Sequence, residues 1–254
     1  VSRGLGDVYK RQDSRQIVPG SVFVAIAGER VDGHDFVPKV GAQGAVAALV
    51  DHEIAGAQVP QIVVENTVKA LGALAKHNIE RRRALESPFT VIGITGSVGK
   101  TTTKDLLKSL LSKMGDTVAP VGSFNNEIGL PLTLLGLRKE HTAAVVEIGM
   151  RGLHQIEAMS PIAAPSVGIV TNVGETHMEL LGSIENIAKA KSEMVEAIPA
   201  GGAVVLNADN PYVAAMRSKA KEGVRVLTFG IENEADVRAR DIETVGGHET
   251  VSYT

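Results

Sequence analysis

The chain has 254 residues, 44% hydrophobic and 22% charged, which is material for one or two ordinary globular domains with a sizeable core. A net charge of −3, 3% aromatics and no tryptophan supply neither the field nor the stacking surfaces of a nucleic-acid binder. With no cysteine, a disulfide framework, a thiolate zinc site and a cysteine nucleophile are excluded; with no apolar run of membrane-spanning length and no signal peptide, a cytoplasmic protein without membrane contact is expected.

Residues 1–12 read as the in-frame translation of a sequencing-library adapter, a non-native tail set aside from fold reasoning. From Asp13, apolar runs predict strands over 21–26, 45–50 and 61–64, with a helix over 36–42. A longer helix over 68–85 ends in Arg81-Arg82-Arg83, a basic run expected to be a solvated face that complements the helix dipole. Glu86-Ser87-Pro88 breaks the pattern and sets a domain boundary between 13–86 and 87–254. After it come a strand over 91–95, a helix from 99, a strand over 117–121, a helix over 128–137 and a strand over 143–148. Strands over 167–173, 203–207 and 224–229 follow, with helices between them. Residues 249–254 alternate like a strand and stop without a turn, so a C-terminal truncation is expected. Apolar strands separated by helices predict an α/β fold, with a small mixed α/β N-terminal domain and then a mostly parallel sheet flanked by helices. Ligands of such sheets sit at the carboxyl ends of the strands, where Thr95-Gly96-Ser97, Glu147 and Thr171-Asn172 fall.

The chemistry concentrates in Ile94-Thr95-Gly96-Ser97-Val98-Gly99-Lys100-Thr101-Thr102-Thr103. A strand leads into this glycine turn and a helix leaves it, the arrangement of a P-loop. Backbone N–H groups, the helix dipole and Lys100 receive phosphate oxygens, and the Thr101 hydroxyl is placed to ligate magnesium. The strict pattern wants glycine where this chain has Ile94, so the match is to the variant T-G-[ST]-x-G-K-T-[ST]. Thr95 to Thr102 are therefore expected to bind a nucleoside triphosphate.

Other residues remain open on spacing alone. Glu147 ends a buried-type strand beside the cradle, as a magnesium ligand or as a loop cap. His177 is a loop histidine, and Lys189 and Lys191 lie on a helix where Lys189 pairs with Glu193 at i,i+4. Asn125 and Asn126 open a helix as caps or face a polar substrate. Asp13-Ser14-Arg15 and Gly28-Glu29-Arg30 bracket one strand and could share a pocket.

Together these segments resemble the Mur ligases over nearly the whole chain from Asp13, and within that family the members that add D-alanyl-D-alanine. The Asn125-Asn126-Glu127-Ile128-Gly129-Leu130-Pro131 segment discriminates best; Asp32-Gly33-His34-Asp35-Phe36, Glu147-Ile148-Gly149-Met150 and Thr171 to His177 add to it. The resemblance implies ATP as cosubstrate, with Thr95 to Thr102 and Asn172 around it, and Lys100, Glu147, His177 and Lys191 as catalytic residues. It implies magnesium on Thr101 and Glu147, a second magnesium served by His177, and a carbamylated Lys191. Ser14, Arg15, Gly28, Glu29, Arg30, Asn125 and Asn126 become substrate contacts. The reaction implied joins D-alanyl-D-alanine to UDP-N-acetylmuramoyl tripeptide through an acyl phosphate, in a monomer. A third, Rossmann-like domain of the family is not matched, so the chain is expected to be inactive alone. The competing readings are another amino-acid ligase of the superfamily and a P-loop kinase or nucleotide-binding module.

Overall fold

The computed structural model of the chain describes residues 10–11, 17–28, 31–176, 178–245 and 248–253. Four parallel strands form a small sheet in sequential order: β1 (Lys10–Arg11), β2 (Ser21–Val24), β3 (Ala45–Val50) and β4 (Gln61–Val63). β1 falls within the stretch set aside as a tail, and it pairs with Val22 and Phe23 of β2. The helix expected over 36–42 is a 3-10 turn, Gly33–Phe36, running into one α-turn, α1 (Val37–Val40). The Asp32 carboxylate accepts the His34 N–H and so starts the turn early. Phe23, Ala25, Val37, Val40, Ala48 and Val50 make the core of this unit.

Helix α2 (Thr67–Arg83) begins at Asn66, whose side chain accepts the Lys69 N–H. Leu71, Ala75 and Ile79 recur every four residues, all fully or nearly fully buried, in a cluster that also takes in Val24 and Leu49 of the small sheet and Leu130 and Leu134 beyond. Each such leucine or isoleucine contributes about 1.5–3 kcal/mol by leaving water. The basic run at the end of α2 corrects the expectation of a solvated face. Arg82 is buried, its guanidinium donates to the carbonyls of His141, Ser87 and Pro88, and it lies over the Phe89 ring. Arg83 donates to the Ala164 carbonyl. Arg81 and Arg83 stay exposed in the last turn, as foreseen for all three. The Glu86-Ser87-Pro88 break is thus strapped down by the helix before it.

The second sheet has eight strands: β5 (Thr90–Thr95), β6 (Thr117–Val118), β7 (Ala143–Glu147), β8 (Val167–Val170), β9 (Ala203–Asn207), β10 (Arg225–Gly230), β11 (Val237–Val245) and β12 (His248–Tyr253). Their order is β12-β11-β10-β9-β8-β5-β7-β6; seven are parallel and β12 folds back antiparallel on β11. The connecting helices are α3 (Lys100–Leu111), α4 (Gly129–Leu135), α5 (Gln155–Ala163), α6 (Met178–Leu181), α7 (Ile184–Ala197) and α8 (Pro211–Ala215). The strand expected over 117–121 stops at Val118, short of Pro120, which has no N–H to give to a ladder. The one over 167–173 stops at Val170, because Thr171 and Asn172 turn to hold the loop after β5. The expected Lys189–Glu193 pair is also corrected. Glu193 instead reaches from α7 to α5, where its carboxylate accepts the His154 and Glu157 N–H groups.

Candidate active site

β5 lies between β7 and β8, so the connections on its two sides run in opposite directions and a crevice opens at the carboxyl ends. The loop leaving β5 fills that crevice. Gly96 has φ 150°, and a Cβ there would collide with the Thr171 hydroxyl. Gly99, with φ 86°, provides the left-handed residue from which α3 starts. The segment after β8 braces the loop. Ser97 N–H donates to the Asn172 carbonyl (3.1 Å) and Val98 N–H to Asn172 Oδ1 (2.9 Å). The Thr171 hydroxyl donates to the Val98 carbonyl (2.6 Å), and Gly174 N–H donates to Ser97 Oγ (2.9 Å). Asn172, expected at the nucleotide, thus has its side-chain oxygen engaged in shaping the cradle.

Lys100 opens α3 and folds back across the loop, donating from Nζ to the carbonyls of Gly96 (2.6 Å) and Ser97 (3.3 Å). Burial lowers its pKa, while the charge of Glu147 opposes that shift. Thr101 and Thr102 are exposed in the first turn of α3, at the positive end of the helix dipole.

Glu147 is the last residue of β7 and is 0% exposed. Neither carboxylate oxygen has a hydrogen-bond partner among the described residues, and the Thr95 hydroxyl beside the loop is likewise unpaired. Lys104, a residue passed over as part of a helix-forming run, lies 3.9 Å from Glu147 Oε1. It is 1% exposed, and Nζ donates to the Pro120 carbonyl (3.0 Å) and the Gly122 carbonyl (3.1 Å), with Asp105 Oδ1 at 3.1 Å. Its signal in the sequence was its i,i+4 spacing from Lys100, which turns both amines toward the sheet's carboxyl edge. A buried carboxylate without hydrogen bonds is costly unless a cation completes it. Hard oxygen donors at Glu147 and Thr101 fit a magnesium ion by this test.

Lys191 projects from α7 and is 3% exposed. Burial, with a smaller contribution from the nearby Lys100 charge, lowers its pKa to about 7. Lys191, Lys100, Asn125, Asn126, Arg151 and Thr176 line one cleft of about 460 Å³. Asn126 Oδ1 accepts the Gly129 N–H (2.8 Å) and caps α4, while the Asn125 carbonyl accepts the Gly149 N–H (2.8 Å) beside the end of β7. Lys189 is exposed and lines a different groove, with Arg83, Pro199 and Lys221. Gly28 lies in the exposed turn after β2, its N–H on the Val31 carbonyl. Ser14, Arg15, Glu29, Arg30 and His177 lie outside the described residues. No described helix is long and apolar enough to cross a membrane.

Comparison with known proteins agrees with this arrangement. Residues 94–253 match the Mur ligase middle domain and residues 11–79 the Mur ligase family catalytic domain. The UDP-N-acetylmuramoyl-tripeptide–D-alanyl-D-alanine ligase of Synechocystis sp. is 40% identical over 224 residues, covering 87% of this chain and 48% of that protein. The enzyme of the same name from Escherichia coli is 38% identical over 198 residues, covering 78% and 42%. Among solved structures, MurF from Acinetobacter baumannii superposes with a TM-score of 0.88 at 36% identity, over 96% of this chain and 52% of that one. MurF from Thermotoga maritima, solved in complex with ADP, gives 0.86 at 30% identity, over 99% and 56%. The chain spans about half the length of the relatives it matches. By its motif, its sheet order and these matches, the chain belongs to the Mur ligase family.

Proposed function

We propose that this chain carries the substrate- and nucleotide-binding parts of an ATP-dependent ligase that joins D-alanyl-D-alanine to UDP-N-acetylmuramoyl tripeptide, as a cytoplasmic monomer. In this reading residues 13–86 receive the UDP-sugar, with Ser14, Arg15, Gly28, Glu29 and Arg30 as contacts, and residues 87–254 receive ATP. A carboxylate oxygen of the tripeptide attacks the γ-phosphorus and ADP leaves. The neutral amine of D-alanyl-D-alanine then attacks the acyl carbon, the bond from that carbon to the bridging phosphate oxygen breaks, and inorganic phosphate leaves carrying the proton lost by the amine. The residues here hold and neutralise rather than bond covalently. The loop amides and Lys100 take the β- and γ-phosphates, and Asn125 faces the acceptor side of the cleft. Glu147 and Thr101 would hold magnesium, which would supply positive charge against the phosphates. Lys191, with a pKa near 7, has the neutral amine that carbamylation needs, and its carbamate with His177 would serve a second magnesium.

One observation carries the reading: a fully buried carboxylate without a hydrogen-bond partner, Glu147, stands beside the P-loop at the switch point of the sheet. The experiment is equilibrium titration of ATP with and without magnesium. Wild type should bind magnesium–ATP more tightly than ATP alone. Glu147→Gln should erase that difference, and Lys100→Ala should weaken both forms by roughly tenfold or more, about 1.4 kcal/mol. A magnesium effect that survives Glu147→Gln unchanged refutes the metal role of this carboxylate.

A further inference from the structure

A second cluster of ligand-type side chains lies at the carboxyl end of the small sheet, away from the ATP cleft. Asp51 and His52 follow β3 directly, and His34 sits in the 3-10 turn after β2. Because β2 and β3 are adjacent and parallel, the segments that leave them meet. His34 is buried and its Nδ1 lies 2.6 Å from Asp32 Oδ1, which fixes the orientation of the ring. With Nδ1 engaged by Asp32, Nε2 faces Asp51. That nitrogen accepts the Asp51 N–H (3.2 Å) and also stands 3.1 Å from Asp51 Oδ1. His52 Nδ1 lies 2.5 Å from the same oxygen, and its ring stacks on His34 with centroids 4.8 Å apart.

From this geometry we propose that His34, Asp51 and His52 form a site for one divalent transition ion of the zinc class. The three ligand atoms lie within 4.8 Å of one another. Two ligands of one zinc ion, each at about 2.1 Å, are at most about 4.2 Å apart, so closure needs only a small swing of the His52 ring. That side chain is 62% exposed and free to make it. A metal ion there would take the Nε2 lone pair in place of the Asp51 N–H. Asp32 supplies the carboxylate–histidine support typical of metal-bound imidazole. Two imidazole nitrogens and one carboxylate oxygen suit zinc, cobalt or nickel over magnesium, which takes oxygen donors. The site is thus chemically separate from Glu147 and Thr101. Three protein ligands leave a position open for water or a further ligand, and the bound ion would clip the turn after β2 to the turn after β3.

The test is calorimetric titration of the untagged, metal-free chain with zinc, alongside cobalt absorption spectra that report the ligand set. One ion per chain should bind, with millimolar magnesium failing to compete, and zinc should raise the melting temperature. His34 is buried, so its replacement risks the fold; the exposed pair carries the test. His52→Ala and Asp51→Asn should each weaken zinc by about tenfold or more and abolish the thermal shift, and Asp32→Asn should cost about 10–100-fold. Lys100→Ala should leave zinc binding as it is. No zinc uptake, or uptake unchanged in both His52→Ala and Asp51→Asn, overturns the assignment; the first outcome would leave a shared proton in the gap.

Discussion

Lys104 and Glu147 are a buried pair of opposite charge type, 3.9 Å apart. Removing one partner from such a pair costs more than removing both, because the survivor is left buried and uncompensated. Lys104→Met should therefore destabilise the protein by about 3–5 kcal/mol in urea unfolding, and adding Glu147→Gln should recover part of the loss. If the two effects simply add, the pair is not coupled and Lys104 serves only the Pro120 and Gly122 carbonyls. Lys191 makes a pH prediction. Its folded pKa is about 7 against an ordinary value of 10.5, so between those values the unfolded chain holds the extra proton. Stability then rises with pH across that window. Comparing urea midpoints at pH 7 and pH 9, wild type should gain more than Lys191→Gln; identical gains would mean that the amine is solvated in the folded state.

At the scale of elements, helix α5 owes its start to another helix. His154 sits at its N-cap position with φ 65° and offers no capping side chain. The cap is Glu193 on α7, whose two oxygens take the His154 and Glu157 N–H groups at 2.7 and 3.0 Å. An acidic group at that end also meets the positive pole of the helix. Glu193→Ala should cost about 0.5–2 kcal/mol and speed amide exchange in the first turn of α5. Lys189→Ala on the same helix should stay within about 0.5 kcal/mol, since its side chain is exposed. Comparable losses at both positions, measured by thermal unfolding, would return Glu193 to the role of an ordinary surface charge. The same logic shortened two strands: Pro120 and the bracing residues Thr171 and Asn172 withdraw their backbone from the ladder.

Across the whole molecule, α2 joins the two sheets. Its inward stripe belongs to one cluster with Val24 and Leu49 on one side and Leu130, Leu134 and Ile156 on the other. Asn78 donates to the Leu134 and Leu137 carbonyls, and Arg82 straps the segment that leads into β5. The cleft at the switch point is thereby built on a packed base. Lys100 opens the helix that leaves β5, Glu147 ends the adjacent strand β7, and Lys191 enters from α7.

The sequence by itself determined what is local. A glycine loop between an apolar run and a helix can be read from ten consecutive residues, because the backbone angles and the helix start are set within them. Buried parallel strands announce themselves as runs such as Ala143-Ala144-Val145-Val146, since both faces must be apolar. The glutamate ending that run was legible for the same reason. Only the tertiary structure decided which distant groups meet. Val98 and Asn172, His154 and Glu193, and His34 and Asp51 are 74, 39 and 17 positions apart. Those pairings depend on the β5–β8 and β2–β3 adjacencies and on the α5–α7 packing, which no local spacing encodes. Burial decided the rest. Lys104 and Lys189 read alike as helix lysines, yet one lies against the sheet edge beside a carboxylate and the other in water, and a charge costs free energy only where water cannot reach it.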